Sequence, residues 1–304
     1  MDFLNIYVIS MASITFGYIL AEILSETNLI KFIGNKTSKI AEFGIHPALT
    51  PIPALYLVSP RVAHANASAM LKDKLIKPID LYIAILASNL PLRVMYIYRY
   101  YLPVLLPLLG VITLYYIGLR IIFDFLLVFI VLMIGRKRYK GVKFNMENSK
   151  INLNFSKDAF KNGLIKGLRA SLKFGLRFTP IFALVVFMIK LGILDKITAI
   201  LSPILGKLSL DSLGIAYITT AMFSPAAAYG IAKVMLSYNY PINKVLGCMF
   251  LGTGLFTLLY ESWSRIFPFY SGLYPKNVTL NLLLLQVVLP SFYNIFLGIF
   301  LVKL

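Results

Sequence analysis

The sequence predicts an all-α, polytopic helical membrane protein with about eight transmembrane helices in two homologous repeats, with interrupted helices and amphipathic helices at the interface. Three observations carry this expectation. The 304 residues are 59% hydrophobic and only 14% charged, with a mean hydropathy of +0.80, which leaves too little polar surface for a soluble globule of this length. Apolar runs long enough to cross about 30 Å of hydrocarbon recur along the chain. A Ser-Pro segment of the first half also reappears in the second.

The first run, residues 3–24, opens without a basic stretch and is long enough to span, so it reads as a retained helix rather than a cleaved signal. Runs at about 47–71, 79–98 and 104–134 complete one set of four. Runs at about 170–191, 210–237, 241–262 and 278–303 form a second set. After the first run of each set, "NLIKFIGNKTSKIAEF" (28–43) and "LDKITAILSPILGKLSL" (194–210) place apolar residues at helical spacing among lysines, as helices lying in the interface do.

The net charge is +18, densest at "RKRYKGVKF" (136–144). In a chain this apolar, such a stretch reads as a cytoplasmic loop facing anionic headgroups, and nucleic acid is not an expected partner. The expected organisation is therefore a membrane repeat over 1–134, a basic cytoplasmic linker over 135–166 and a second membrane repeat over 167–304.

The repeat rests on "LVSPRVAHANASAML" (57–71) and "MFSPAAAYGIAKVML" (222–236). Ser59 and Ser224 lie 165 residues apart (224 − 59), and the same offset pairs Pro60 with Pro225, Ala63 with Ala228, Ala67 with Ala232 and Met70 with Met235. With a two-residue gap, "NLP" (89–91) aligns with "GTG" (252–254), two apparent helix breaks. Chance accounts for shared leucines between apolar segments but poorly for a shared Ser-Pro, so an internal duplication is inferred. Four spans per repeat would give both halves one orientation. If a Ser-Pro segment only dips into the membrane and returns, the repeats become inverted.

The matched Ser59, Ala63, Ala67 and Met70, joined by Asn66, share one helical face, and small residues at this spacing allow close helix approach where the halves would meet. Arg61, His64 and Ser68 fall on another face, opposite Ala226, Tyr229 and Lys233 in the repeat. An intramembrane arginine needs protein, water or headgroups around it, so Arg61 reads equally as a snorkelling residue and as a solute contact. For His64, an interhelical hydrogen bond competes with a proton relay. Interrupted segments at matching places in two halves mark a binding site, which adds Asn89, Arg93, Thr253 and Thr257 as candidates. Arg120 and Asp124, at i,i+4, read as a mutually neutralising pair. Glu261 and Arg265 around Trp263 read as an ion pair within an interfacial aromatic anchor.

Signals for catalysis are missing. Cys248 is the lone cysteine and the two histidines, His46 and His64, are far apart in sequence, so no metal site, disulfide or cofactor is expected. Neither a phosphate loop nor a hydrolase or metalloprotease motif occurs, and the chain is not expected to be an enzyme.

The stretches "SPRVAHANASAMLKDKLIKPIDLYIAILASNLP" and "SPAAAYGIAKVMLSYNYPINKVLGCMFLGTG" resemble the nucleoside-recognition or gate family of membrane proteins, which includes segments of concentrative nucleoside transporters, ferrous-iron transporters and spore maturation membrane proteins. The resemblance covers about 40 residues in each half and is greatest to stand-alone prokaryotic members. It implies a membrane-embedded recognition or translocation unit. The acidic and polar set that would hold a ribose and a sodium ion is absent, as is the cytosolic GTPase domain of the iron transporters.

Together these features point to a secondary transporter or permease of the cell membrane, with a midplane site between the repeats built from Ser59, Arg61, His64, Asn66, Asn89, Arg93, Ser224, Tyr229, Lys233, Thr253 and Thr257. Arg61, Arg93 and Lys233 would favour an anionic or phosphate-bearing solute. The alternative is a non-transporting scaffold whose small-residue faces bind partner helices or lipid. Expected partners are the bilayer and a small solute, and self-association is left open.

Overall fold

The computed structural model describes residues 43–139, 156–191 and 210–304, with eleven further positions between 7 and 26. The interfacial helices expected at 28–43 and 194–210, but for their last residues, and half of the basic linker (140–155) lie outside the described residues. The described residues are helical throughout, with no strand.

Four helices are long and apolar enough to cross a bilayer, and the chain is a membrane protein. They are α3 (Pro78–Leu109), α4 (Val111–Arg138), α8 (Ile242–Leu273) and α9 (Lys276–Lys303). The other described elements are α1 (Ile52–Val58), α2 (Pro60–Lys72), α5 (Lys157–Lys190), α6 (Ser212–Phe223) and α7 (Pro225–Ser237). Segments 47–71 and 210–237, expected as single spans, are thus each a pair of shorter helices broken at a serine.

The break has a local cause. A proline disfavours helical backbone in the residue before it, and Ser59 (φ −162°, ψ 114°) and Ser224 (φ −151°, ψ 95°) are both extended. Pro60 and Pro225 then open α2 and α7 at the position where a missing N–H costs nothing. The same hydrogen bonds recur 165 residues on: Ser59 N–H to Leu55 O and Ser224 N–H to Thr220 O are both 2.8 Å. At the far ends, Lys74 and Asn239 both take φ 58°, and the bonds from Leu75 to Met70 and from Tyr240 to Met235 close the same left-handed helix cap.

Each pair is a hairpin. Gly44 packs on Leu132 and Gly135 near the end of α4, and His46 stacks edge-on against Tyr139 at 5.6 Å. This is the end of the molecule where Asp80 binds Arg138 (2.8 Å) and Tyr139 (2.6 Å). Burial, and then the bond to Asp80, push the Tyr139 hydroxyl above its ordinary range. From there α1 rises until the Leu57 carbonyl accepts from Tyr98 (2.7 Å), halfway along α3. The chain then returns through α2 to Pro78, back at the Asp80 end. In the second half Asp211 caps α6 (3.0 Å to Gly214 N–H) and accepts from Tyr240, while Ala221 reaches Gly252, in the first half of α8. From Ser224, α7 returns to Tyr240.

Contacts fix the direction of the long helices. Arg138 meets Asp80 and Asp124 meets Arg93, so α4 runs antiparallel to α3. Asn281 binds Tyr82 (3.0 Å) and Gln286 binds the Ile85 carbonyl (3.2 Å), so α9 runs parallel to α3. Gly247 faces Gly298 and Val302 while Gly254 faces Ser291 and Ile295, so α9 is antiparallel to α8. It follows that α3 is antiparallel to α8 and α4 to α9. The helical positions between 7 and 26 likewise run antiparallel to α5, through Tyr7–Thr179, Thr15–Ser171 and Glu26–Lys166 contacts. Each Ser-Pro segment turns back partway along the bundle, the geometry of the second of the two alternatives the sequence left open.

Two apolar cores hold the bundle. One joins Tyr101, Leu105, Leu108, Ile112 and Tyr116 to Ala228, Ala232, Met235 and Phe250. The other joins Ile52, Ala63, Ala67 and Leu81 to Tyr270, Tyr274, Val278 and Leu282. In each, the small-residue face of one half's returning limb meets the other half's long helices, as the spacing of Ala63 and Ala67 suggested.

Candidate functional site

Two polar clusters lie inside the bundle, and the expected site residues divide among them, the backbone turns and the surface. The first cluster surrounds His64, which is 2% exposed. Its Nε2 pairs with the Tyr56 hydroxyl (2.7 Å) and its Nδ1 with the Tyr274 hydroxyl (3.0 Å). Tyr274 donates its single hydrogen to the His64 carbonyl (2.9 Å), so it must accept from Nδ1–H. Nε2 is then the bare nitrogen, accepting from Tyr56. Phe269 and Tyr270 close over the ring, and Ser68 donates to the Leu273 carbonyl (2.7 Å). His64 is thus a fully bonded tie between the first hairpin and the end of α8, and of the two readings of it the interhelical bond fits this geometry. Beside it Gln286 donates to Asn89 Oδ1 (3.4 Å) and accepts from Tyr270 (2.9 Å), which places Asn89 in the same buried network.

The second cluster lies between α3, α4 and α8. Arg93 Nε donates to Asp124 Oδ2 (2.6 Å) and Arg93 NH1 to the Tyr101 hydroxyl (3.1 Å). Arg120 NH1 donates to Tyr101 (3.1 Å) and Tyr116 (2.8 Å). Thr253 gives its hydrogen to the Met249 carbonyl (2.8 Å), so the 2.9 Å contact between Tyr116 and Thr253 has Tyr116 as donor. This chain of bonds joins α4 of the first half to α8 of the second.

The i,i+4 pairing of Arg120 with Asp124 is replaced: Asp124 binds Arg93 on the neighbouring helix, and Arg120 turns to the tyrosines. Glu261 and Arg265 form no ion pair either; Trp263 between them is 66% exposed, in keeping with an outward-facing anchor.

Arg61 and Asn66 are exposed, so neither joins the interior clusters, and Asn66 leaves the packing face on which Ala63 and Ala67 are fully buried. Ser59 and Ser224 are half-buried at the hairpin tips, and the Ser224 hydroxyl accepts from Ala227 N–H (3.4 Å). Tyr229, the repeat counterpart of His64, is buried with its ring 6.2 Å from Tyr100, and Lys233 is half-buried.

The "GTG" stretch is no break. α8 is α-helical through Phe256, and a side chain at Gly252 would strike Tyr217 and Ala221, while one at Gly254 would strike the Ser291 carbonyl. These glycines serve close packing. The irregular stretch begins at Thr257, where the helix widens to π geometry over Thr257–Ile266, matched in the first half by Ile97–Leu105. In α3 the "NLP" position is a mild offset at Ser88 (φ −82°, ψ 1°). Sequence reasoning missed Tyr101, Tyr116, Arg120 and Asp124 as site residues. The signal was present in "RIIFD", where two charges sit within an apolar run.

Comparison with known proteins places the chain beside two archaeal relatives, both of Methanocaldococcus jannaschii. The uncharacterized protein MJ0880 is 27% identical over 236 residues, 75% of each chain. The uncharacterized protein MJ0871 is 23% identical over 299 residues, 95% of this chain and 90% of its own. No family model matches the chain, and no solved structure matches it.

Proposed function

We propose that the chain is a multi-pass secondary transporter or permease of the cell membrane, built from two inverted repeats over residues 1–134 and 167–304, that moves a small polar solute through a site between them. The observation that carries this reading is the pair of oppositely directed hairpins, each ending partway along a long helix and each returning against the other half's core. In a bilayer, broken backbone at that depth is tolerated only where it is enclosed by protein or lines a wet cavity. Half-length helices from two inverted repeats that converge at the midplane are the arrangement in which alternating access is achieved by rocking one repeat against the other. The resemblance of the Ser-Pro segments to the gate family supports the same reading.

In this reading six helices cross and two hairpins re-enter. Lys72, Lys74, Lys77, Arg136, Lys137, Arg138 and Lys276 gather at the Asp80 end, which makes that end cytoplasmic by the positive-inside rule.

The test is thiol accessibility. With Cys248 replaced by alanine, single cysteines at 59, 93, 224, 253 and 257 are labelled from each side with a membrane-impermeant reagent. Labelling that switches sides under an imposed solute gradient sustains a transporter. Complete protection from both sides would mean a packed interior and favours the scaffold.

A further inference from the structure

The cluster between α3, α4 and α8 holds more positive charge and more donors than its own partners consume. Asp124 is held by Arg93 at 2.6 Å, and among the described residues no carboxylate comes within 4.0 Å of Arg120. Arg120 spends its contacts on two phenolic oxygens and on the face of the Tyr116 ring, 5.3 Å from the ring centre. A guanidinium has five N–H donors and no acceptor, so most of its capacity is unspent.

Tyr101 supplies a second, independent sign. Its hydroxyl, on a side chain 4% exposed, receives N–H groups from both Arg93 and Arg120 at 3.1 Å. Neither arginine can accept, so both bonds use the oxygen's lone pairs and the phenolic hydrogen remains to donate. Among the described residues no bond takes that hydrogen, whereas the Tyr116 hydrogen is taken by Thr253. A buried donor flanked by two cations that share the single carboxylate of Asp124 is complementary to an anion.

Glu261 is the neighbouring charge that bears on this. It lies half-buried in the π-helical stretch of α8, forms no ion pair among the described residues, and the cations whose fields reach it are Arg265 on its own helix and Arg120 on α4. An anion bound at Arg120 therefore competes with Glu261 for the same positive charge.

We propose that Arg120 and Tyr101 form the binding site for a small oxyanion, a carboxylate or phosphate group of the solute, with the planar guanidinium and the spare phenolic hydrogen as its donors. Its place in transport rests on the function proposed above, but binding itself does not require flux. Of the cations expected to favour an anion, Arg61 is exposed, Arg93 is held by Asp124 and Lys233 is half-buried on α7, and Arg120 is the one that joins the buried tyrosine cluster.

The test uses the purified full-length chain in detergent at constant ionic strength, titrated calorimetrically with inorganic phosphate and, separately, with acetate against a chloride background. One saturable site is expected for at least one of the two. Arg120→Gln weakens it by about 30-fold and Tyr101→Phe by about fivefold, since charged donors contribute more than neutral ones. Arg120→Lys retains part of the affinity, because it keeps the charge and loses the fork. Glu261→Gln tightens binding by about threefold, because a competing negative charge is removed. Absence of saturable binding of both anions to the wild-type chain overturns the proposal. So does binding that Tyr101→Phe and Glu261→Gln both leave unchanged, a criterion that stands even where Arg120→Gln fails to fold. Failure of the transporter reading looks different: anion binding persists while proteoliposomes show no uptake.

Discussion

Tyr274 joins the two halves through one hydroxyl, and its removal has a cost that can be worked from the geometry. The oxygen accepts from His64 Nδ1–H at 3.0 Å and its hydrogen goes to the His64 carbonyl at 2.9 Å. Tyr274→Phe keeps the ring in the aromatic cage and strands the His64 Nδ1–H, while the His64 carbonyl, inside α2, keeps its helical bond; Tyr274 is 4% exposed, so water does not replace the lost acceptor freely. At roughly 1–3 kcal/mol for one stranded buried group, the expected loss is about 1–3 kcal/mol. His64→Phe costs a similar amount, about 1–3 kcal/mol, because Tyr274 can still donate to the backbone carbonyl at position 64 and Tyr56 loses its acceptor. The assay is reversible unfolding in mixed micelles, read as the midpoint and free energy for each variant and for the double variant. The diagnostic is that the double variant costs less than the sum of the two single changes, because both remove the same Nδ1–H bond. A companion measurement reads the tautomer directly: with two histidines in the chain, nitrogen-15 labelling and a His46→Gln variant assign His64, whose Nδ1 is expected protonated and Nε2 bare. A Tyr274→Phe cost below about 0.5 kcal/mol, or a proton on Nε2, would refute the bonding scheme.

Three further outcomes follow from the same geometry. Asp124→Asn leaves the Arg93 guanidinium without its counter-ion and is expected to cost about 3–5 kcal/mol, checked by the same unfolding assay, whereas Asp124→Asn combined with Arg93→Gln costs less than the single change. Gly252→Leu drives a side chain into Tyr217 and Ala221 and displaces the second hairpin; the expected result is loss of folded protein by size-exclusion chromatography, with Gly118→Leu, which has open space around it, as the tolerated control. Lys74→Gly and Asn239→Gly occupy the left-handed positions of equivalent caps at no steric cost and should leave thermal stability unchanged or slightly raised, while Asn239→Val lowers it by about 1 kcal/mol.

How much of this was legible in the sequence depends on the range of the interaction. The Ser-Pro recurrence was visible, and its local consequence, an extended serine before a proline-led helix, is dictated by sterics within two residues. The buried face of Ala63 and Ala67 was legible as well, because small residues at helical spacing have a packing meaning of their own. The "GTG" stretch misled, because a glycine that admits a neighbouring helix and a glycine that breaks its own helix look alike in one dimension. Arg120 and Asp124 misled for a related reason: spacing proposes the partner on the same helix, and the fold offered Asp124 a better one on α3.

Composition by itself determined that this chain is a helical membrane protein, since hydrophobic content and run length set the solvent a chain can live in. Only the tertiary structure decided that the Ser-Pro segments turn back instead of crossing. Residues 44 and 78 reach the same end of the molecule through contacts with α4, and no local pattern encodes that meeting. Likewise the pairing of Arg93 with Asp124, which leaves Arg120 to the tyrosines, depends on three helices lying side by side, and buried charge is partnered in space, not along the chain.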